Sequence, residues 1–152
     1  MEITLYDELK LIYPDIFRIM KEEDLKKLDY AYGSPELTLY DEEDHALLTV
    51  GHKKINFIVS KLLSAKDIAK KSEPVIKKAM EGFEYRFDKF ETRDFGDKKA
   101  DGFRFEYKAD NIDMIAHMYV VKIKTNLFYI YFYGRKESEE MNGVLLDRIR
   151  LK

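Results

Sequence analysis

The sequence predicts an α+β fold: an antiparallel β-sheet of about six to eight strands with helices packed on both faces, an α/β/α sandwich. Three observations predict it. Residues 113–133 form two apolar, aromatic-rich runs joined by a short polar step, which is the pattern of a long β-hairpin. Strand-like segments outnumber helix-like ones. Each neighbouring pair of strands can be joined by a short turn, which favours antiparallel pairing.

The hairpin at residues 113–133 is predicted to lie at the centre of the sheet. Successive side chains of a strand point to opposite faces, and aromatic and β-branched residues suit a pleated, half-buried surface. Both faces of the hairpin carry large side chains, so both are expected to be covered at least in part. The second strand places Phe128, Ile130 and Phe132 on one face and Tyr129, Tyr131 and Tyr133 on the other. The first strand places Met114, Ala116, Met118 and Val120 opposite Ile115, His117, Tyr119 and Val121.

The N-terminal third is predicted to contain two further strand pairs. Short alternating runs at residues 3–6 and 9–13 form the first pair, with a turn at Asp7 and Glu8. The second pair spans residues 37–40 and 45–50, with an acidic turn at residues 41–44. Between the pairs we expect an irregular segment at residues 15–20, a short helix at residues 22–27 and a loop at residues 30–35.

A helix is predicted to begin after Ser64, which starts a capping box with Asp67, and to end near Gly82. Residues 53–63, which precede it, read as a loose connection. Pro74 lies inside the helix, so either the helix kinks there or a second helix begins with Ser72 as its N-cap. The buried stripe is expected to comprise Ile68, Val75, Ile76, Ala79 and Met80.

The C-terminal part is predicted to add two strands, at residues 83–91 and 103–107, joined by a charged loop at residues 94–99. Asp110 and Asn111 form the turn into the central hairpin. A final helix is expected after Ser138, which is interpreted as its N-cap. The buried residues of that helix are predicted to be Met141, Val144, Leu145 and Ile149.

Length and composition suit one domain covering residues 1–152. The chain has no cysteine, which excludes disulfides and cysteine-ligated metal sites. Its 27 basic and 29 acidic residues nearly balance, so we expect no general nucleic-acid binding. The overall balance does not exclude a local basic patch. No segment resembles a secretory leader or a membrane span, and we expect a cytoplasmic protein.

No catalytic or metal motif is found in the sequence, so we expect no enzyme, no metal and no cofactor. The histidines His45, His52 and His117 occur in no recognised ligand spacing. The acidic run at residues 41–44 lacks the spaced oxygens, central glycine and distal glutamate of a calcium loop. The serines lie outside any nucleophile motif, and three of them look like helix caps.

The candidate binding residues are Tyr129, Tyr131 and Tyr133, with Lys122 and Lys124 nearby. One interpretation is that a helix covers the tyrosine row and the hydroxyls reach water at its rim. The other is that the row is left partly open to dock an apolar helix or peptide, because tyrosine is enriched at such interfaces.

The order of these segments, over nearly the whole chain, resembles the PsbP-like family. That family includes the extrinsic P protein of photosystem II, a eukaryotic Ran-binding release factor and many bacterial domains. The resemblance implies an α/β/α sandwich and a binding or assembly role; the partner-binding acids of the release factor have no match here, so a Ran-related role is not implied. The phrases that carry it are Leu11-Ile12-Tyr13-Pro14 with Phe17, Glu22-Glu23-Asp24-Leu25, the turn from Asp41 to His45, the strand at residues 100–107, and the paired strands at residues 118–123 and 127–133.

Three functions remain open from the sequence. The first is a non-catalytic module that binds a protein or peptide, in the manner of an adaptor or chaperone. The second is a small-ligand carrier or enzyme of a curved-sheet type, which a deep pocket lined by a histidine and an acid would favour. The third is a structural subunit whose tyrosine face is a homodimer contact.

Overall fold

The computed structural model of the chain describes residues 1–21, 23, 36–43 and 46–152. These residues form an α+β fold with two antiparallel sheets and three α-helices. The strands are β1 (Glu2–Leu5), β2 (Leu9–Ile12), β3 (Arg18–Ile19), β4 (Leu37–Asp41), β5 (Ala46–Lys54), β6 (Arg86–Phe95), β7 (Lys98–Ala109), β8 (Ile112–Ile123), β9 (Asn126–Arg135) and β10 (Arg150–Leu151). The helices are α1 (Phe57–Leu62), α2 (Ala65–Ala79) and α3 (Glu139–Asp147).

The large sheet has seven strands among the described residues, in the order β3-β4-β5-β9-β8-β7-β6. The central hairpin is confirmed, because β8 and β9 pair antiparallel and β9 is the fourth strand of the seven. Its turn lies at Lys124 and Thr125, where Lys124 has a φ of 56°. The second predicted hairpin is also found, as the antiparallel pair β4–β5.

The predicted charged loop at residues 94–99 is wrong. Strands β6 and β7 continue through most of it and pair as far as Phe95 and Lys98, so that only Gly96 and Asp97 turn. Gly96 has a φ of 73°, a conformation that glycine adopts without steric cost, and this permits the tight turn. The other end of β6 also differs, because the strand begins at Arg86 and residues 80–84 form a turn instead.

The first predicted strand pair forms a separate three-stranded sheet with the C-terminal β10, in the order β1-β2-β10. The segment at residues 15–20 is not wholly irregular, since β3 pairs with β4 there. The predicted helix at residues 22–27, the predicted loop at residues 30–35 and the end of the acidic turn with His45 lie outside the described residues.

The capping box is confirmed: the Asp67 amide donates to Ser64 Oγ at 3.1 Å, and the Ser64 amide donates to Asp67 Oδ2 at 3.0 Å. From this cap α2 runs through Pro74 to Ala79 as one helix. A second N-cap at Ser72 is therefore wrong, and the Ser72 hydroxyl instead donates to the Ile68 carbonyl at 2.7 Å. Val75 was expected to be buried but is exposed, because it lies at the edge of the helix face that packs on the sheet.

Two further predictions about helices are corrected. The stretch at residues 53–63 is not a loose connection: β5 extends to Lys54 and α1 follows it, capped by the Asn56 side chain, which accepts from the Val59 amide at 2.8 Å. Ser138 makes no capping hydrogen bond, since a 3₁₀ turn at Lys136–Ser138 leads directly into α3. In α3, Leu145 and Leu146 are buried, whereas Met141 and Val144 are exposed.

The large sheet is covered on both faces, and each face has its own core. On the first face α2 packs on β7 and β8, with Ile68, Ile76 and Met80 against the sheet. On the second face the small sheet and α3 bury the row of Phe128, Ile130 and Phe132. The predicted alternation of β9 is therefore confirmed, with its tyrosines on the first face and its phenylalanines on the second.

Candidate binding groove

Helix α2 covers only part of its face of the large sheet. Among the described residues it packs mainly on β7 and β8. The space between the helices and strands β5 and β9 is a groove of about 630 Å³, at whose base Thr49, Leu127 and Tyr131 are buried. We call it the tyrosine groove. Its lining is mostly apolar and comprises Thr49, Gly51, His52, Lys53, Ile55, Val59, Leu63, Ile68, Lys71, Ser72, Val75, Ile76, Leu127, Tyr129, Tyr131 and Tyr133.

The three predicted tyrosines lie together along one wall of this groove. Tyr131 is buried, while Tyr129 and Tyr133 are half-buried. The rings of Tyr131 and Tyr133 are nearly parallel, with centroids 6.1 Å apart. Burial raises the pKa of Tyr129 above its ordinary value. Among the described residues, the row is thus partly buried and partly exposed, and whether it docks a partner stays a prediction.

Small residues on β5 create the room in the groove. The register pairs Thr49 with Tyr131 and Gly51 with Tyr129, so both small residues lie on the tyrosine face. A Cβ placed on Gly51 would meet nothing closer than 3.8 Å, at Tyr129 Cβ, which shows that the space beside the ring is unfilled. The groove therefore follows from the large-small pairing of β9 with β5.

The opposite wall is formed by α1 and α2. Val59 and Leu63 of the α1 segment are one helical turn apart, so both point into the groove, as Ile68 and Ile76 of α2 do. His52 of β5 borders the groove, but its ring lies on the opposite face of the sheet beside Phe128, where it stacks on Tyr6 at 3.6 Å between centroids and its Nε2 lies 2.9 Å from Asn126 Oδ1. These contacts anchor the end of β5 from the phenylalanine face.

Lys122, the fourth predicted binding residue, lies beside the groove and binds the end of α1, the helix that forms part of the groove wall. Its ammonium group donates to the Ser60 carbonyl and, at 2.9 Å, to the Leu63 carbonyl, at the C-terminal end of α1. A cation there satisfies carbonyls that the helix leaves unpaired and suits the negative end of the helix dipole. Lys124 projects from the hairpin turn, and its Nζ lies 3.8 Å from Glu8 Oε1. The lysines at the groove itself are Lys53 and Lys71.

A second concavity lies on the other face, between α3 and the strands β6 to β8, with a volume of about 460 Å³. We call it the polar cleft. His117 Nδ1 lies 2.6 Å from Glu91 Oε1, which also accepts from the Tyr119 hydroxyl at 2.9 Å. The Arg93 Nε donates to the Tyr119 hydroxyl at 3.0 Å, and its Nη1 pairs with Asp147 of α3 at 2.6 Å.

A glycine permits this network. Glu91 and Tyr119 lie on strands separated by β7, and the residue between them in the register is Gly102. A Cβ on Gly102 would lie 1.8 Å from the Met118 carbonyl oxygen, so no other residue fits without moving the backbone. The missing side chain lets the Glu91 carboxylate reach across β7 to His117 and Tyr119.

Electrostatic interactions in the polar cleft favour the ionised, hydrogen-bonded form of Glu91. Burial alone would raise the pKa of Glu91, but hydrogen bonds and charge from His117, Tyr119 and Arg93 lower that pKa below its ordinary value. Burial, with the charge of Glu91, raises the pKa of Tyr119. Nearby, Arg104 pairs with Asp88 at 2.9 Å and with Glu139 at 2.7 Å. Most charged groups of the cleft are therefore already satisfied by each other.

The described residues contain no group of three or more His, Asp or Glu side chains that could hold a metal ion. His52 pairs with Phe128 and His117 pairs with Phe132, so both histidines lie on the phenylalanine face of the sheet at different positions along β9, and His45 lies outside the described residues. Sequence reasoning missed α1 as a groove wall and the Glu91–His117 pair. The Asn56 cap was a signal for the first, whereas the second depends on two strand registers that the sequence does not specify.

No protein-family model and no curated protein matches the chain by sequence. Solved structures do match. The cyanobacterial PsbP of Synechocystis superposes with a TM-score of 0.61 at 15% identity, over 100% of this chain and 92% of that one. This chain has a PsbP-like fold. The resemblance in the order of its strands and helices is thereby confirmed at the level of the fold.

Two further structures share the PsbP-like fold. LpqN of Mycobacterium tuberculosis, described as involved in cell envelope biogenesis, matches with a TM-score of 0.52 at 10% identity, over 95% of this chain and 83% of LpqN. A protein of Bacteroides thetaiotaomicron matches with a TM-score of 0.56 at 12% identity, where 95% of this chain spans 45% of that protein. Among the described residues, no helix is both long and apolar enough to cross a bilayer.

Proposed function

We propose that this chain is a non-catalytic binding domain that takes an apolar segment of a partner protein, flanked by acidic residues, into the tyrosine groove. The observation that carries the proposal is the position of α2, which among the described residues packs on β7 and β8 and leaves a concave, mostly apolar groove along β5 and β9. Concave apolar grooves are the usual receptors for amphipathic segments.

The chemistry of the groove specifies the kind of segment. Tyr129, Tyr131 and Tyr133 offer large, stiff contact areas, and tyrosine is enriched where proteins bind each other. Lys53 and Lys71 are exposed at the rim, and neither forms an ion pair with a described carboxylate, so they suit acidic residues on either side of an apolar anchor. A PsbP-like fold supports a binding role, as the resemblance implied.

The test is selection of peptides from a random displayed library against the whole chain, followed by fluorescence anisotropy on the enriched peptides. Val75 is 63% exposed at the groove and Val144 is 53% exposed on α3, so Val75→Arg and Val144→Arg form a matched pair of surface variants. We expect Val75→Arg to weaken peptide binding by about tenfold or more, since a buried charge without a partner is costly, and Val144→Arg to leave it unchanged.

Two results would contradict the proposal. Either no peptide is enriched, or the enriched peptides bind the Val75→Arg variant as well as the wild type. Sedimentation velocity tests the remaining alternative, in which a second copy of the chain occupies the groove. A dimer that dissociates in the Val75→Arg variant would assign the groove to a homodimer contact instead.

A second candidate function, small-ligand binding or catalysis, has one observation in its favour. The polar cleft combines a histidine with an acid, and a carboxylate at Nδ1 orients Nε2 of a neutral ring as an acceptor. Asn142, which is buried in the same cleft, has an Oδ1 with no hydrogen-bond partner among the described residues. A metabolite library titrated into the protein, with the His117 ring signals followed by NMR, tests it; Glu91→Gln should abolish any specific response.

A further inference from the structure

Helix α1 exposes its outward side chains to an unusual degree. Phe57, Ile58 and Leu62 are 64%, 69% and 73% exposed, and none of the residues of α1 is buried. The spacing explains this, because Ile58 and Leu62 are one turn apart on the side away from the groove, while Val59 and Leu63 face it. The same short helix therefore has two apolar sides. One side lines the groove, and the other protrudes from the molecule.

The exposed side is held in place by the sheet. The Asn56 side chain caps the start of α1, Lys122 closes its end, and the Ile55 amide donates to the Thr125 carbonyl of the hairpin turn at 2.8 Å. The apolar side chains thus project from an anchored element. Large apolar groups that are fixed in an exposed position commonly mark an interaction site.

The charge around α1 is mainly positive, and the nearest acid along the chain, Asp67, is engaged in the capping box with Ser64. Residues 46–66 contain four lysines and no aspartate or glutamate, although the whole chain has a net charge of −2. Lys53, Lys54, Lys61 and Lys66 are all exposed, and none forms an ion pair with a described carboxylate. Lys61 Nζ lies 4.3 Å from the centroid of the Phe57 ring, so its charge stands directly beside the apolar side chains.

We propose that the outward side of α1, with Lys54, Lys61 and Lys66, makes a peripheral contact with the surface of an anionic lipid bilayer. Protruding apolar side chains among lysines fit the boundary between headgroups and acyl chains, where the charges remain at the anionic headgroups. A protein partner fits less well, because lysine is depleted in protein–protein interfaces and a six-residue convex helix offers little area. This inference goes beyond the peptide groove and does not depend on it.

The test is co-sedimentation of the whole chain with vesicles of phosphatidylcholine, alone or mixed with phosphatidylglycerol. We expect binding to the mixed vesicles to be at least about tenfold tighter than to the neutral ones and to weaken with added salt. Lys54→Gln with Lys61→Gln should weaken it by about 25-fold, from about fivefold for each lysine.

A triple variant tests the apolar part. Phe57→Ser, Ile58→Ser and Leu62→Ser together should weaken vesicle binding by about tenfold or more, because the apolar contact is lost. The matched control is Met141→Ser with Val144→Ser, which removes two apolar side chains that are 50% and 53% exposed on α3. That control should bind as the wild type does, and circular dichroism checks that every variant is folded.

Three outcomes would overturn the inference. They are no co-sedimentation with the anionic vesicles, equal loss of binding in the α3 control, and lysine-dependent binding that the triple serine variant retains. The last would indicate a general polyanion contact without insertion. None of the three bears on the peptide groove, because Val75→Arg changes the groove and these variants change the outer side of α1.

Discussion

The two faces of the large sheet carry equally large side chains yet are used differently. Strand β9 alternates tyrosines with phenylalanine and isoleucine. Among the described residues, the phenylalanine face is closed by a second sheet and α3, whereas on the tyrosine face α2 lies on β7 and β8 and a groove remains along β5 and β9. The strand pattern thus determines which residues share a face. What covers each face, and how far, depends on the placement of the elements between strands.

The polar groups differ between the faces as well. On the closed face, Glu91, His117, Tyr119 and Arg93 satisfy one another in the polar cleft. On the open face, the lysines at the rim of the tyrosine groove have no ion-pair partner among the described residues. Satisfied charges stabilise the fold, while unpaired exposed charges beside apolar side chains are available to a partner.

The largest expected effect is a difference in stability between variants on the two faces of β9. Phe128→Ala should lower the free energy of unfolding by about 3–5 kcal/mol, because the ring lies between the two sheets and is 0% exposed. Tyr129→Ala, at the neighbouring position on the open face, should cost only about 1–2 kcal/mol. Urea denaturation of both variants measures the difference, and equal losses would contradict the contrast between the faces.

The next effect concerns the wall of the groove. Lys122→Met should destabilise the protein by about 1–2 kcal/mol, because the carbonyls of Ser60 and Leu63 lose a charged donor. Lys124→Met removes a lysine from the same hairpin whose side chain is 79% exposed, and it should have little effect. Hydrogen exchange at the amides of α1 should increase in the first variant only. Similar exchange in both would show that Lys122 does not hold α1.

A smaller effect distinguishes two serines that look alike in the sequence. Ser64→Ala should cost about 1 kcal/mol, because it removes the capping box of α2. Ser138→Ala should be near neutral, since its side chain makes no capping hydrogen bond. Thermal unfolding of the two variants compares them, and a Ser138→Ala loss equal to that of Ser64→Ala would be inconsistent with the 3₁₀ entry to α3.

The smallest effect is the pH dependence of the closed face. The pKa of Glu91 is below its ordinary value of 4.5 in the folded chain, so ionised Glu91 stabilises the fold above that value and this contribution is lost as pH falls through the lowered pKa. Wild type should therefore lose more stability than Glu91→Gln between about pH 6 and about pH 3. Glu140→Gln, on the exposed surface of α3, is the control. A parallel decline in wild type and Glu91→Gln would disprove the pairing.

Much of the fold could be predicted from the sequence because local patterns specify it. The period of two identified the central hairpin and both rows of β9, and the Ser64–Asp67 spacing identified the start of α2. Two errors had local causes. Helix α1 is too short to show a helical period. The charged residues around Gly96 suggested a long loop, although the chain turns there within two residues, Gly96 and Asp97.

The candidate sites were less predictable, because they depend on distant pairings. The tyrosine row was found, but its half-open state depends on α2 lying over β7 and β8 and on Gly51 facing Tyr129 across the strands. The Glu91–His117 pair requires the registers of three strands and the absence of a side chain at Gly102. Neither arrangement leaves a signal in a short window of sequence.

The most direct test of the proposal that the tyrosine groove receives a peptide is an NMR titration with a library-selected peptide. The account predicts that signals of Tyr129, Tyr131, Tyr133 and Val75 shift on binding, while those of His117 and Tyr119 in the polar cleft stay unchanged. Shifts confined to the polar cleft, with the tyrosine signals unmoved, would contradict it.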